Sequence, residues 1–237
     1  CPDVAHYERR ERGPDTWGPA RQVALSPFAI VAYTDGDGAE FAAAVWDVCR
    51  YVSHGHLMAV HSHAPVLRPE DLSDDLRQRL NLIHIGGPSA LQNALSDAAR
   101  ARWPVTIEPA GCSGAADTCP NVQGRTDELA TVFTVGPCRF QGARHGLVFT
   151  APRWEEAAGD GGRALIDLVV TGTDATGLLD VATFHHKHLS RSPFGNMVPD
   201  YFLSGPDYRA KGFGGLVAAG FWGSRWEWRS DSAYMEC

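Results

Sequence analysis

Ten histidines stand in this 237-residue chain, and seven of them fall into two groups. His54, His56, His61 and His63 lie close together, as do His185, His186 and His188. Neutral imidazole is a ready ligand for zinc. In a strand His61 and His63 share a face, because side chains alternate. On a helix His185 and His188 share one, at i and i+3. If the two pairs meet, four ligands converge on one ion, so zinc is the alternative to a chain without a cofactor. Histidines near a helix C-terminus also interact favourably with the helix dipole and need no metal for that. No H-E-x-x-H spacing is present.

A second set of candidates follows the apolar runs. Asp35-Gly36-Asp37-Gly38, Gly86-Gly87-Pro88-Ser89 and Thr171-Gly172-Thr173-Asp174 each close one. In an open parallel sheet, ligands lie beyond the carboxyl ends of the strands. Asp35, Asp37, Ser89, Thr173 and Asp174 are therefore the expected rim of a small-molecule site, a hydrolase site included. Turn and capping chemistry explains the same residue types without a ligand and is the favoured reading. A dinucleotide needs G-x-G-x-x-G, which is absent, and two aspartates would repel a pyrophosphate. No Walker A motif occurs. The nearest approach to a G-x-S-x-G nucleophile elbow is Gly111-Cys112-Ser113-Gly114-Ala115, which fails at its last position.

The six cysteines are Cys1, Cys49, Cys112, Cys119, Cys138 and Cys237, with no C-x-x-C pair among them. That weakens a zinc-ribbon or thioredoxin-type reading. Cys112 and Cys119 bracket a small polar loop, a spacing that suits a local disulfide in an oxidising compartment. Cys1 and Cys237 are expected to anchor the two ends of the chain, internally or to another polypeptide. A chain that opens on Cys rather than Met is expected to be a processed piece of a secreted precursor.

These groups need a scaffold. Residues 1–23 are polar and read as a leader or linker; residues 24–237 read as a single α/β domain. Phe28–Tyr33 is a continuous apolar run, as in a strand covered on both faces. Phe41, Val45, Val48 and Val52 make one stripe of a helix over about Ala39–Val52. Leu57–Val60 reads as a second strand, and Leu72, Leu76 and Leu80 as the apolar side of a short helix. Asn81–Ile85 is a third strand, with Ser89 as N-cap of the helix after it. Pro104–Ile107 is a fourth. Residues of about 110–150 read as an insertion, in which Thr131–Val135 and Gly146–Thr150 form an antiparallel hairpin. Ala164–Val170 is a strand, and Thr173 or Asp174 caps a helix carrying Leu178, Val181 and His185. Tyr201–Leu203 is a last strand, and the aromatic run Phe221–Trp228 is expected to pack a terminal segment against the sheet. Strands alternating with amphipathic helices predict a three-layer Rossmann-like or flavodoxin-like fold, its sheet mostly parallel.

Composition agrees. Hydrophobic residues make up 44% and charged residues 21%, enough to build a core and too few charges for bulk disorder. The formal net charge is -7 with no basic run, which argues against nucleic acid and anionic membranes as partners. No stretch approaches the roughly 20 apolar residues of a membrane span.

Three stretches taken together carry a resemblance: Ser26–Tyr33, Asn81–Ser89, and Val198–Tyr201 with Ala218–Trp222. Their order and spacing resemble the C-terminal Rossmann-like accessory domain of large secreted prolyl-oligopeptidase-like or esterase-like proteins. The middle stretch, with Val170–Asp174, is also similar to small α/β modules of cell-surface layer proteins. The resemblance implies an extracellular, non-catalytic domain with a structural or partner-binding role. Its partner would be another extracellular domain or chain, possible through a disulfide, and any catalytic domain would lie outside this sequence.

Overall fold

The computed structural model describes residues 11–13, 16–95, 100–101, 103–108, 131–153, 165–190 and 199–237, without the side chains of 59–60 and 183–190. The elements in chain order are β1 (Phe28–Tyr33), α1 (Ala39–Val60), β2 (Val66–Leu67), α2 (Asp74–Arg79), β3 (Asn81–Gly86), α3 (Pro88–Ala94), β4 (Val105–Glu108) and β5 (Val132–Val135). They continue with β6 (Cys138–Gln141), β7 (Gly146–Arg153), β8 (Leu165–Gly172), α4 (Ala175–Ser190), β9 (Tyr201–Ser204), α5 (Tyr208–Lys211), β10 (Leu216–Gly220) and β11 (Ala233–Met235). The main sheet runs β11-β10-β9-β7-β8-β3-β1-β2, and β4-β5-β6 form a separate antiparallel sheet.

The main sheet has two halves. β8, β3, β1 and β2 pair in parallel. β8, β7, β9, β10 and β11 pair antiparallel. β1, β3 and β8 are apolar runs buried on both faces, Ile30 and Val31 in β1 and Leu82 and Ile83 in β3 being enclosed, while the two-residue edge strand β2 is half-buried. α1 and α4 pack side by side over one face. Gly146 in β7 lies against α4, where a Cβ would strike Val181. Phe149, three residues on and so on the opposite face, meets Trp103 at 5.2 Å between ring centroids. The second face therefore carries Trp103 and the chain around it, and the α/β three-layer architecture holds.

Several local expectations are corrected. Leu57–Val60 is not a strand. α1 continues through it because Val48, Cys49, Val52 and Gly55 keep facing the sheet at helical spacing, while Leu57 and Met58 lie exposed. The second strand is Val66–Leu67, after the histidines rather than before them. Gly146–Thr150 is no part of the inserted hairpin. It is the start of β7, which pairs with β8 along eight residues in the middle of the sheet. Val105–Glu108 in turn leaves the main sheet and pairs with β5. The N-cap of α3 is Gly87, with Pro88 at the first helical position, and not Ser89. In residues 11–25, Arg12, Ala20 and Val23 are buried in the domain.

Candidate functional site

The loops after β1, β3 and β8 meet at one edge of the parallel half, as the chain order requires. What occupies this edge is the protein's own polar groups. Asp37 reaches across to α3, where its Oδ1 accepts from the Ser89 N–H at 3.1 Å and its Oδ2 from the Ala90 N–H at 2.8 Å. This is the position an anion takes at a helix N-terminus. A Cβ on Gly87 would collide with the same carboxylate, so only glycine lets the loop and Asp37 close together. Asp174 Oδ1 accepts from Gly177 N–H and its Oδ2 from Arg144 N–H, both at 2.7 Å. Thr173 Oγ1 accepts from His145 N–H at 3.1 Å. Asp35 is exposed and accepts from its neighbour Thr34. Asp37 and Ser89 thus meet, whereas Thr173 and Asp174 are tied to the β6–β7 loop. Capping and turn chemistry accounts for the side chains of Asp37, Thr173 and Asp174, and Ser89 contributes its backbone N–H.

Across the parallel strands, from the end of β1 to the amino ends of β3 and β8, runs a polar network that sequence reasoning missed. Tyr33 Oη is 2.8 Å from His84 Nδ1, and His84 Nε2 is 3.3 Å from Asp167 Oδ2. Arg153 is 3.3 Å from Asp167 Oδ1, which also accepts from Leu82 N–H at 3.1 Å. Arg153 donates further to the carbonyls of Arg77 and Leu80. Burial works to raise the Asp167 pKa, but Arg153, His84 and the Leu82 N–H outweigh it and hold the carboxyl below its usual range. Burial raises the Tyr33 phenol. Tyrosine donating to Nδ1 and Nε2–H donating to the carboxylate satisfies both ring nitrogens. Register places Tyr33, His84 and Asp167 on one face of three adjacent strands, each enclosed. The signal was available: one His in Asn81–Gly86 and one Asp in Leu165–Gly172 are polar residues in otherwise apolar strands, and buried polar groups need partners.

The histidine expectation rested on a strand that does not exist. His61 is the C-cap of α1, left-handed at φ 57°, its N–H bonded to the Leu57 carbonyl at 2.9 Å. His63 is exposed in the following loop. His56 packs edge-on against Phe28 at 4.9 Å, and burial lowers its pKa. The side chains of His185 and His188 lie outside the described residues. Among the described residues no group of three or more His, Cys, Asp or Glu is placed to hold a metal ion.

The antiparallel half presents a different surface. Arg12 comes in from the N-terminal segment and grips Asp200 bidentately, at 2.6 and 2.9 Å. It also donates to the carbonyls of Thr16, Gly18 and Trp222, which uses the whole donor fork of the guanidinium. Its plane sits 4.7 Å from the Trp226 ring centre. Asp200 accepts from the Trp222 N–H at 2.9 Å as well. Here burial prevails: it pushes the Asp200 carboxyl above its usual range, against Arg12 and the other donors. Trp222 is buried, stacked on Tyr201 at 4.3 Å, and donates from its indole to the Thr150 carbonyl. The aromatic run thus packs as expected at Trp222 and Trp226, but Phe221 points outward. Above the Arg12–Asp200 pair opens a cleft of about 540 Å³, lined also by Trp17, Phe221, Arg229 and Asp231. Trp17 is 63% exposed and Phe221 42%.

Cys138 and Cys237 form a disulfide with Cα atoms 5.6 Å apart, joining β6 to the chain two residues past the end of β11. One of the end cysteines is therefore anchored within the chain. All six cysteines are disulfide candidates by sequence; Cys138 is in one, whereas Cys49 is a buried free thiol on α1, its pKa pushed up to about 12 by burial. Cys1, Cys112 and Cys119 lie outside the described residues. Among the described residues no helix is long and apolar enough to cross a membrane. No protein-family model, no curated protein and no solved structure matches this chain.

Proposed function

We propose that this chain is a non-catalytic α/β domain of an extracellular protein, processed from or associated with a larger polypeptide, and that it works by binding. The observation that carries this reading is Asp37 seated on the Ser89 and Ala90 N–H groups. The edge where an α/β enzyme would receive substrate is filled by a side chain of the domain itself. The acid and base groups within the sheet, His84 and Asp167, are enclosed and already partnered within the chain. The Cys138–Cys237 disulfide is in keeping with an oxidising compartment. The Trp17–Phe221 cleft supplies an open, aromatic contact surface of the kind binding sites use.

Two measurements test this. Chromogenic esters and peptidyl anilides, incubated with the purified chain, should show no turnover above buffer. Turnover that His84→Gln or Asp37→Ala abolishes would overturn the reading. Non-reduced peptide mapping of native material should recover the Cys138–Cys237 linked peptide from the extracellular fraction. Recovery of the chain only from inside cells, with both thiols free, would remove the extracellular assignment.

A further inference from the structure

We propose that the cleft between Trp17 and Phe221 takes a neutral carbohydrate; this rests on the binding-domain reading above and names its ligand class. Two features point to it. The first is charge. Arg12 is paired with Asp200 at the base, and Arg229 is paired with Asp231 at 2.9 and 2.5 Å. Among the described residues, each charged side chain lining the cleft thus has an opposite charge paired with it. An anionic or cationic ligand would find no uncompensated opposite charge and would have to break a pair to gain one.

The second is the kind of surface left over. Trp17 and Phe221 expose ring area at the cleft although both are large apolar side chains. Aromatic rings suit partners that are apolar on one side and wet on the other. A pyranose is such a partner: its axial C–H bonds make apolar faces and its hydroxyls make a polar rim. The exposed Arg229–Asp231 pair offers planar donors and acceptors side by side, the complement of neighbouring hydroxyl groups. Ser224 lines the same cleft and is exposed. A volume of about 540 Å³ lies within the usual range of small-molecule sites and has room for a short oligosaccharide end. A neutral peptide is the competing occupant, but nothing in the cleft supplies the open strand edge that would read a peptide backbone.

The probes are cellobiose, maltose, mannobiose and N,N′-diacetylchitobiose, titrated into the oxidised full chain and followed by saturation-transfer NMR and tryptophan fluorescence. At least one should bind saturably with a dissociation constant of about 0.1–10 mM. Trp17→Ala should weaken that binding about tenfold or more with the circular dichroism spectrum unchanged, since Trp17 is exposed. Arg229→Ala should weaken it as well, with the fluorescence response still present at higher sugar concentration. The proposal is overturned if no probe binds saturably, if Trp17→Ala binds as tightly as the parent, or if proline-rich or neutral peptides compete for the cleft more strongly than every sugar. A failure of all the sugars together with no ester or anilide turnover removes the carbohydrate and leaves the binding domain standing. Turnover of any of them removes both.

Discussion

The two halves of the main sheet each bury a carboxylate beside an arginine, yet they treat it differently. In the parallel half, Asp167 faces Arg153, His84 and a backbone N–H, and the three together keep it ionised more firmly than in water. In the antiparallel half, Asp200 is paired with Arg12, yet burial holds its carboxyl above the usual range. The first carboxylate sits inside an enclosed network near the amino ends of β3 and β8. The second lies at the base of an open cleft. One arrangement is closed within the sheet and the other supports a surface.

The largest expected effect is on the closed side. Arg153→Met leaves the Asp167 carboxylate buried without its guanidinium and should cost about 3–5 kcal/mol in urea unfolding. Reduction of Cys138–Cys237 comes next. It opens a closure spanning 99 positions and should cost about 2–4 kcal/mol, read as a lower Tm with reductant. Arg12→Met should cost less than Arg153→Met, about 1–3 kcal/mol, because burial already holds the Asp200 carboxyl above its usual range whereas the Asp167 carboxyl is held below it. Equal losses for the two arginine variants would erase the contrast. Asp37→Ala removes a cap from a seven-residue helix and should cost about 0.5–2 kcal/mol.

Acid separates the halves by sign. Asp167 is depressed in the folded chain, so its stabilisation is whole above the ordinary carboxylate range and is lost as pH falls through its folded value. Asp200 is raised, so its contribution is present at low pH and is lost as pH rises through its folded value. Asp167→Asn should therefore flatten the acid loss of stability, and Asp200→Asn should steepen it. Urea midpoints between pH 3 and pH 7 check both; variants that shift in the same direction would contradict the account.

The parallel half was the legible part of the sequence. Phe28–Tyr33 and Asn81–Ile85 declare themselves because strands covered on both faces are written as unbroken apolar runs. The antiparallel half was harder for the same reason. Gly146–Thr150 is apolar too, and nothing in its composition says that it pairs with β8 rather than with the neighbouring hairpin. Leu57–Met58 misled because exposed apolar residues at a helix end look like a short strand. Among the rim residues, Asp37 and Asp174 hold backbone N–H groups as caps and turns do, while Ser89 is not the N-cap it was read as, and the partners of these carboxylates were not legible. Asp37 and Ala90 are separated by 53 positions, and Arg12 and Asp200 by 188. Such contacts are set by topology, which local spacing does not encode. The cleft was invisible for that reason: its walls come from the two ends of the chain, and only Phe221 within the aromatic run turns outward.

The most direct test of the contrast is a crystallographic screen in which the oxidised chain is soaked with several hundred small neutral fragments, on the order used to map ligandable pockets. The account predicts fragments stacked between Trp17 and Phe221 and none touching Gly87, Ser89 or Thr173. Fragments that displace Asp37 from the α3 N–H groups, with the Trp17 cleft left empty, would contradict it.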